Sequence, residues 1–305
     1  DRYRRTMKTR QLGPFTVSAI GMGCMPLSLG RDPMPTQEQA TATIHAALDA
    51  GITFFDTADI YAPSWDEMGH NEHVVAQALR GIGNRDEIIV ATKGGITRGE
   101  GETWGRDGSK DYLRRALEHS LSQLEVDCID LYQWHRPDRW KVYGEVIEVF
   151  AEFKRQGLIK AVGISNANVE EIEVAQQVLG EGGLVSVQNE FSPRFRCSLD
   201  ELTYCDEQGI NFLPWSPLGG CSGGAAAIGS QFTAFEDVAR AHGVSPQQVA
   251  LAWELAKSDK LIPIPGASRP ESITDSAKAV DLVLADDEIA LLDASAAYHD
   301  PQVHR

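Results

Sequence analysis

The chain has 305 residues, 42% of them hydrophobic, and a formal net charge of −16 at pH 7. Its length suits one large α/β unit, since a barrel of alternating strands and helices takes about 250 residues. The negative balance excludes the basic face that nucleic acid or an anionic membrane needs, and no apolar run approaches the roughly 18 residues of a membrane span.

The basic start has no apolar stretch behind it and so is not a secretion signal; Met7 reads as a natural beginning, with residues 1–6 a remnant of expression. Residues 8–20 alternate polar and apolar around Gly13 and Pro14, the pattern of a short hairpin ahead of the main fold. Gly21 and Gly23 form a GxG, but Pro26 stands where a third glycine belongs, and Pro33 and Pro35 where a helix should run. A dinucleotide-fold fingerprint is therefore set aside. Thr36 and Gln39 make a capping box for a helix that carries Ala40, Ile44, Ala47 and Leu48 on one face and stops at Gly51. An apolar strand at 52–55 then ends in Asp56, with Tyr61 on the loop beyond.

His70, Glu72 and His73 sit close together at a helix start but lack a distant ligand, so they read as a solvated helix face rather than a metal site. The run 88–91 leads into Lys93, and 129–132 leads to His135. Between them, Leu113, Ala116, Leu117, Ser120, Leu121 and Leu124 keep the spacing of a buried helical stripe. Val142, Val146, Val149, Phe150 and Phe153 form a second stripe, ending in Lys154, Arg155 and Gly157. Strands follow at 159–163, 184–187 and 212–214, then a Gly/Ala-rich loop over 219–229. Ser245, Pro246 and Gln248 supply a cap, a first-turn proline and a box partner for a helix reaching about Lys257. A last strand lies at 261–264.

These apolar runs lack strict alternation, as strands covered on both faces should. With 20–22 included there are about eight, alternating with helices and unbroken by any linker, which favours one closed (β/α)8 barrel over an open doubly wound sheet. The expected architecture is a single domain over 1–305 with a short N-terminal β-hairpin. In such a barrel the loops after the strands share one face, so Asp56, Tyr61, Lys93 and His135 converge there. Cys24, Cys128, Cys197, Cys205 and Cys221 are odd in number and include no CxxC, which fits reduced thiols in a cytoplasm.

The segments GITFFDTADIY, IIVATKGG, DLYQWH, GISN, SVQNEFSP, PWSPL and IPGASR, in this order, make the chain resemble the aldo-keto reductases along nearly its full length. The resemblance implies NAD(P)H-linked interconversion of an aldehyde or ketone with an alcohol, and matches Asp56, Tyr61, Lys93 and His135 to the family's catalytic tetrad. The chemistry is consistent. Tyr61 must give a proton to the carbonyl oxygen, yet a phenol of pKa about 10 is a poor donor at neutral pH. The ammonium of Lys93 is expected to lower that value by about 1–3 pH units, with Asp56 holding Lys93 and His135 orienting the carbonyl.

By the same resemblance Ser165, Asn166 and Gln188 are ligands of the nicotinamide carboxamide. Trp215 stands where relatives stack an aromatic ring on the nicotinamide. Ser216, Pro217, Leu218 and Gly220 line the pyrophosphate loop. Ser268 and Arg269, ahead of a helix N-terminus, suit a 2′-phosphate and so NADPH. The sequence departs from the family at the adenine end, where Ser272, Asp275 and Ser276 replace the usual glutamine and glutamate-asparagine. Trp65, Trp104, Trp134 and Trp140 fall on or beside loops of the catalytic face and read either as walls of an aromatic substrate pocket or as ordinary packing. Arg194 and Arg196 either receive an anionic substrate or stand in solvent. The expected partner is a small carbonyl or alcohol, with neither nucleic acid nor membrane. The same residues also serve an alcohol or sugar dehydrogenase, and some members of the family are cofactor-binding subunits of ion channels.

Overall fold

The computed structural model describes residues 6–220 and 223–295; Cys221 and residues 1–5 of the expected expression remnant lie outside them. The chain opens with an antiparallel hairpin, β1 (Thr9–Leu12) and β2 (Phe15–Ser18), paired from Thr9 opposite Ser18 to Leu12 opposite Phe15. Its apolar face is a plug. Leu12 and Val17 are fully buried against Phe54, Leu131, Ala161, Val185, Leu213 and Ile262, which point into the centre of the fold. Arg10 ties the plug down, its guanidinium donating to the carbonyls of Ser258 and Leu261 at 2.6 Å and of Leu255 at 3.0 Å.

Strand β3 (Met22–Gly23) begins the barrel wall. Helix α1 (Gln37–Asp49) carries the expected capping box of Thr36 and Gln39, and Gly51, at φ +93°, takes the left-handed turn that stops it. Strand β4 (Phe54–Asp56), helix α2 (His70–Leu79) and strand β5 (Ile89–Gly94) follow. A second hairpin, β6 (Ile96–Gly99) and β7 (Thr103–Arg106), then stands on the loop face. The sequence gives no sign of it, because β7 is exposed throughout and so has no apolar alternation. Next come α3 (Lys110–Leu124), β8 (Ile129–Trp134), α4 (Tyr143–Arg155), β9 (Ile159–Ser165), α5 (Val169–Leu179), β10 (Leu184–Gln188), α6 (Leu199–Gln208) and β11 (Asn211–Phe212). Val142 is a 64% exposed cap of α4, outside the buried stripe assigned to it from spacing. The chain continues with α7 (Gly224–Gln231), α8 (Thr233–His242), α9 (Pro246–Leu255), α10 (Pro270–Ala277) and α11 (Asp286–Ala294). The Gly/Ala-rich tract is thus a loop that becomes a helix, because Ala225, Ala226 and Ala227 are strong helix formers.

Strands β3, β4, β5, β8, β9, β10 and β11 pair in parallel, in the order a (β/α)8 barrel requires. The eighth segment, expected as a strand at 261–264, closes the wall without forming a full ladder. Ile262 N donates to Phe212 O at 3.0 Å on one side, and Gly21 N and Gly23 N donate to Pro263 O and Pro265 O at 2.9 and 3.0 Å on the other. Pro263 and Pro265 accept bonds but have no N–H to return. At α9, Ser245 caps as expected by accepting from Gln248 N, but the Gln248 amide bonds Asp275 at 2.7 Å instead of closing a box.

The first turn of α2 is solvated only in part: His73 is exposed as expected and His70 half-buried, whereas Asn71 and Glu72 are buried. Glu72 is fully buried, and one of its oxygens accepts from the Thr92 hydroxyl at 2.5 Å. Burial pushes its pKa up to about 7, against the opposing bond from Thr92. Asp59 is also buried; burial, then the nearby Glu72, raises its pKa well above the ordinary range. Both acids therefore hold their protons to higher pH behind β5 than exposed carboxyl groups do.

Two outcomes follow for stability. Glu72 holds its proton in the fold after losing it in the unfolded chain, so its contribution is complete below pH 4.5 and is lost as pH rises through about 7. Glu72→Gln should remove that dependence. Its stability relative to the parent, from urea midpoints, should rise by about 3 kcal/mol between pH 5 and pH 8. Arg10→Ala should cost about 2–3 kcal/mol by stranding three carbonyls under the plug, read as a lower melting temperature that Arg10→Lys restores only in part.

Candidate active site

The barrel delivers four polar side chains to the end where its strands finish. Asp56 is the last residue of β4 and Lys93 lies one residue from the end of β5. His135 follows β8, with its N–H donating to Gly94 O at 2.9 Å. Tyr61 comes from the β4–α2 loop, whose shape is set by α2: Gly69 N donates to Asp59 O at 2.7 Å and Asn71 N to Tyr61 O at 3.0 Å.

These groups meet. Lys93 Nζ donates to Asp56 Oδ1 at 2.5 Å, to Thr57 O at 3.0 Å and to Tyr61 Oη at 3.1 Å, which uses all three ammonium protons. Lys93 is fully enclosed and Asp56 is 2% exposed. The Tyr61 ring stands edge-on to the His135 imidazole, centroids 5.8 Å apart. Burial opposes the charge on Lys93, but Asp56 and Tyr61 outweigh it and leave its pKa raised.

Tyr61 departs from expectation. Lys93 does favour its phenolate, but burial acts more strongly, and the pKa of the phenol is raised rather than lowered. His135 is held neutral: burial, then Lys93, Arg136 and Arg106, push its pKa well below the ordinary value. Its Nδ1 is enclosed and, among the described residues, has no partner, which leaves Nε2 as the ring nitrogen for the cleft that His135 lines.

That cleft has a volume of about 770 Å³. Asp56, Tyr61 and His135 line its floor, with Ser165, Asn166, Gln188 and Trp215 beside them. Asn166, in a left-handed conformation at φ 56°, binds outward in several directions. Its Nδ2 donates to His135 O at 3.0 Å and Ser165 Oγ at 3.1 Å, and its Oδ1 accepts from the Trp215 indole at 3.1 Å. Ser165 Oγ in turn donates to Gln188 O at 2.7 Å. Farther along, the lining includes Ser216, Pro217, Leu218 and Gly220, then Arg269, Ser272, Asp275 and Ser276 on α10 and its cap.

Not every expected residue arrives. Ser268 does not line the cleft. Trp134 is 1% exposed and packs against Tyr143 in the helix–strand core, centroids 4.7 Å apart, because it shares the outward face of β8 with Tyr132. Trp65 and Trp140 also lie off the lining, Trp140 being 96% exposed; Trp104 alone of the four contributes, with Arg98 over its ring at 4.7 Å. Arg196 is neither an anion receiver nor free in solvent: it donates to the carbonyls of Pro193, Leu292 and Asp293 and stacks on Trp253. Asp275 bonds Ser245 and Gln248, so its carboxylate is committed to α9.

Two residues central to this geometry escaped the sequence. Asn71, fully buried, accepts from Thr57 Oγ1 at 2.6 Å and donates to Cys24 O at 2.8 Å and Ser28 Oγ at 2.9 Å, clamping the loops after β3 and β4 together. Gln133 donates to Asp56 Oδ2 at 3.0 Å. A polar residue in the middle of an apolar strand was the available signal for Gln133; Asn71 offered none, since its partners are remote in the chain.

The chain matches the Aldo/keto reductase family over residues 19–297. It is 37% identical over 281 residues to a 6-dehydroglucose reductase of Novosphingobium aromaticivorans, covering 89% of this chain and 90% of that one. Among solved structures it is similar to an aldo/keto reductase from Klebsiella pneumoniae in complex with NADP and acetate, with TM-score 0.78, 27% identity and coverage of 94% of this chain and 95% of the other. It is likewise similar to a glycerol dehydrogenase from Gluconobacter oxydans, with TM-score 0.78, 25% identity and coverage of 93% and 94%. The barrel, the four converging side chains and these likenesses agree, and the chain belongs to the aldo/keto reductase family.

Proposed function

We propose that this protein reduces an aldehyde or ketone to an alcohol with NADPH in the cytoplasm. The observation that carries the reading is the chain of contacts from Asp56 through Lys93 to Tyr61, with the neutral ring of His135 beside the phenol. The compartment is supported by the lack of any CxxC in the sequence and by Cys24, Cys128 and Cys205, which form no disulfide among the described residues. Among the described residues no helix is long and apolar enough to cross a membrane.

When bound, the reduced nicotinamide supplies the hydride to the carbonyl carbon. Tyr61 then delivers its phenolic proton to the oxygen, where negative charge develops, and Lys93 stabilises the phenolate left behind. Asp56 keeps Lys93 charged and aimed. His135 presents Nε2–H to the same oxygen and so fixes which face of the carbonyl is presented.

The residues around the cleft fit the cofactor. Gln188 Nε2 is already bonded to Asp56 and Gln133, so its remaining group toward a carboxamide is an acceptor for N–H. The carboxamide oxygen finds its donor when the Ser165 hydroxyl turns from Gln188 O. Trp215, fixed by its bond to Asn166, offers the stacking face. Arg269 lines the far end of the cleft and, among the described residues, has no ion-pair partner, which suits a 2′-phosphate. Likeness to a 6-dehydroglucose reductase supports a polyhydroxylated carbonyl as substrate. Likeness to a glycerol dehydrogenase favours a second reading, alcohol oxidation on the same residues, with the Tyr61 phenolate as the base.

Tyr61→Phe should lower kcat roughly 100-fold or more while NADPH binding is retained. Turnover followed at the nicotinamide absorbance checks this, and near-normal turnover would discard the proton-donor role. The same assay with a panel of carbonyls separates an enzyme from a cofactor-binding subunit. Arg269→Ala should weaken NADPH roughly tenfold or more, with little change for NADH. Equal losses for both cofactors in a binding titration would refute the 2′-phosphate contact.

A further inference from the structure

Strand β8 sends alternate residues to opposite faces. Leu131 packs inside the barrel, whereas Tyr132 stacks outward on Phe150. Gln133 shares the inward face with Leu131 and is fully buried, a costly position for an amide unless both of its ends are bonded. They are. Its Nε2 donates to Asp56 Oδ2 at 3.0 Å and to Thr92 O at 3.4 Å, and its Oε1 accepts from Gln188 Nε2 at 2.8 Å. Gln188 Nε2 donates to the same Oδ2 at 2.9 Å, which closes a triangle of side chains. The neighbouring strand makes room for it: Gly163 pairs with Gln133 in β9, and a Cβ there would lie 3.0 Å from Gln133 Cγ and 2.4 Å from Ser186 Oγ.

We propose that Gln133 is a positioning residue for carbonyl reduction, locking the Asp56 carboxylate and the Gln188 amide into one unit so that the proton-donating groups and the nicotinamide end of the cleft keep a single relative geometry. This rests on the catalytic and cofactor reading above. Oδ1 of Asp56 serves Lys93, while Oδ2 serves both glutamines, so the carboxylate cannot turn without breaking two further bonds. The bonds into Gln133 Oε1 and Asp56 Oδ2 together hold the Gln188 nitrogen inward, leaving its oxygen as the acceptor for the carboxamide. Without Gln133 that amide keeps one of its two bonds, to a carboxylate that has itself lost a constraint, and its orientation is held less tightly. The loss then falls on alignment at the reacting atoms rather than on capture of the carbonyl compound.

The test compares Gln133→Leu and Gln133→Glu with the parent at saturating NADPH between about pH 5 and pH 9, with melting temperatures alongside and Tyr61→Phe as the control for the underlying reading. Gln133→Leu should lower kcat roughly 10- to 100-fold and leave KM for the carbonyl within about threefold. Gln133→Glu donates to Asp56 only while protonated, so its kcat relative to the parent should fall as pH rises, whereas the ratio for Gln133→Leu should stay flat. Losses that track melting temperature with the same pH profile in both variants would show a packing role and overturn the proposal. So would a normal kcat in Gln133→Leu beside an inactive Tyr61→Phe. An active Tyr61→Phe would remove the underlying reading and this proposal together.

Discussion

The structure depends on an ion pair placed where water does not reach. Lys93 and Asp56 sit inside the barrel, and the cost of drying two charges is recovered only when geometry and supporting hydrogen bonds are good. Here they are saturated. The ammonium spends its three protons on Asp56, Thr57 O and Tyr61, and the carboxylate receives Lys93 on one oxygen and two glutamine amides on the other. Because each bond is also a positional constraint, β4, β5, β8 and β10 are pinned to one another at the end where chemistry takes place.

The raised pKa of Tyr61 bears on how the proton moves. A phenol lowered toward neutrality would sit partly ionised while waiting, and an ionised phenol cannot donate. On the proposed role of Tyr61 as proton donor, burial would keep the proton in place until an alkoxide, a far stronger base, develops beside it. On that proposed mechanism Lys93 stabilises the phenolate after transfer rather than forcing its formation beforehand. The neutral imidazole of His135 fits the same scheme, since a ring that does not ionise can donate a hydrogen bond without adding a second cation beside Lys93.

The sequence made legible whatever depends on period and punctuation. Strands covered on both faces read as apolar runs, and a polar residue closing each run marked Asp56, Lys93 and His135 as neighbours before any distance was known. The same two-residue period also held information that went unused. Ala91 and Lys93 share one face of β5, and Leu131 and Gln133 share one face of β8, so Gln133 was addressed to the interior and Trp134, alternating with it, to the helices. What was not legible is long-range pairing of polar groups. Asn71 joins two loops through partners at Cys24, Ser28 and Thr57, and nothing local to an asparagine on a helix announces them. Strand β7, exposed throughout, and the proline-interrupted closure at 261–264 share a cause: neither relies on the apolar alternation that a sequence displays.

Behind Lys93 lie Asp59 and Glu72, whose raised pKa values shape the electrostatics of the barrel end. Lys93 favours the ionised form of each, yet burial prevails, with Glu72 adding to it at Asp59, so below about pH 7 the ammonium is balanced chiefly by Asp56. One cation against one anion leaves room for a second negative charge, and on the proposed mechanism that charge is the phenolate of Tyr61. Were the two acids ionised, their field would oppose that phenolate and hold the proton on Tyr61 more tightly. Below about pH 7 the Glu72 carboxyl thus accepts the hydroxyl of Thr92, as an apolar wall could not, without adding charge beside Lys93.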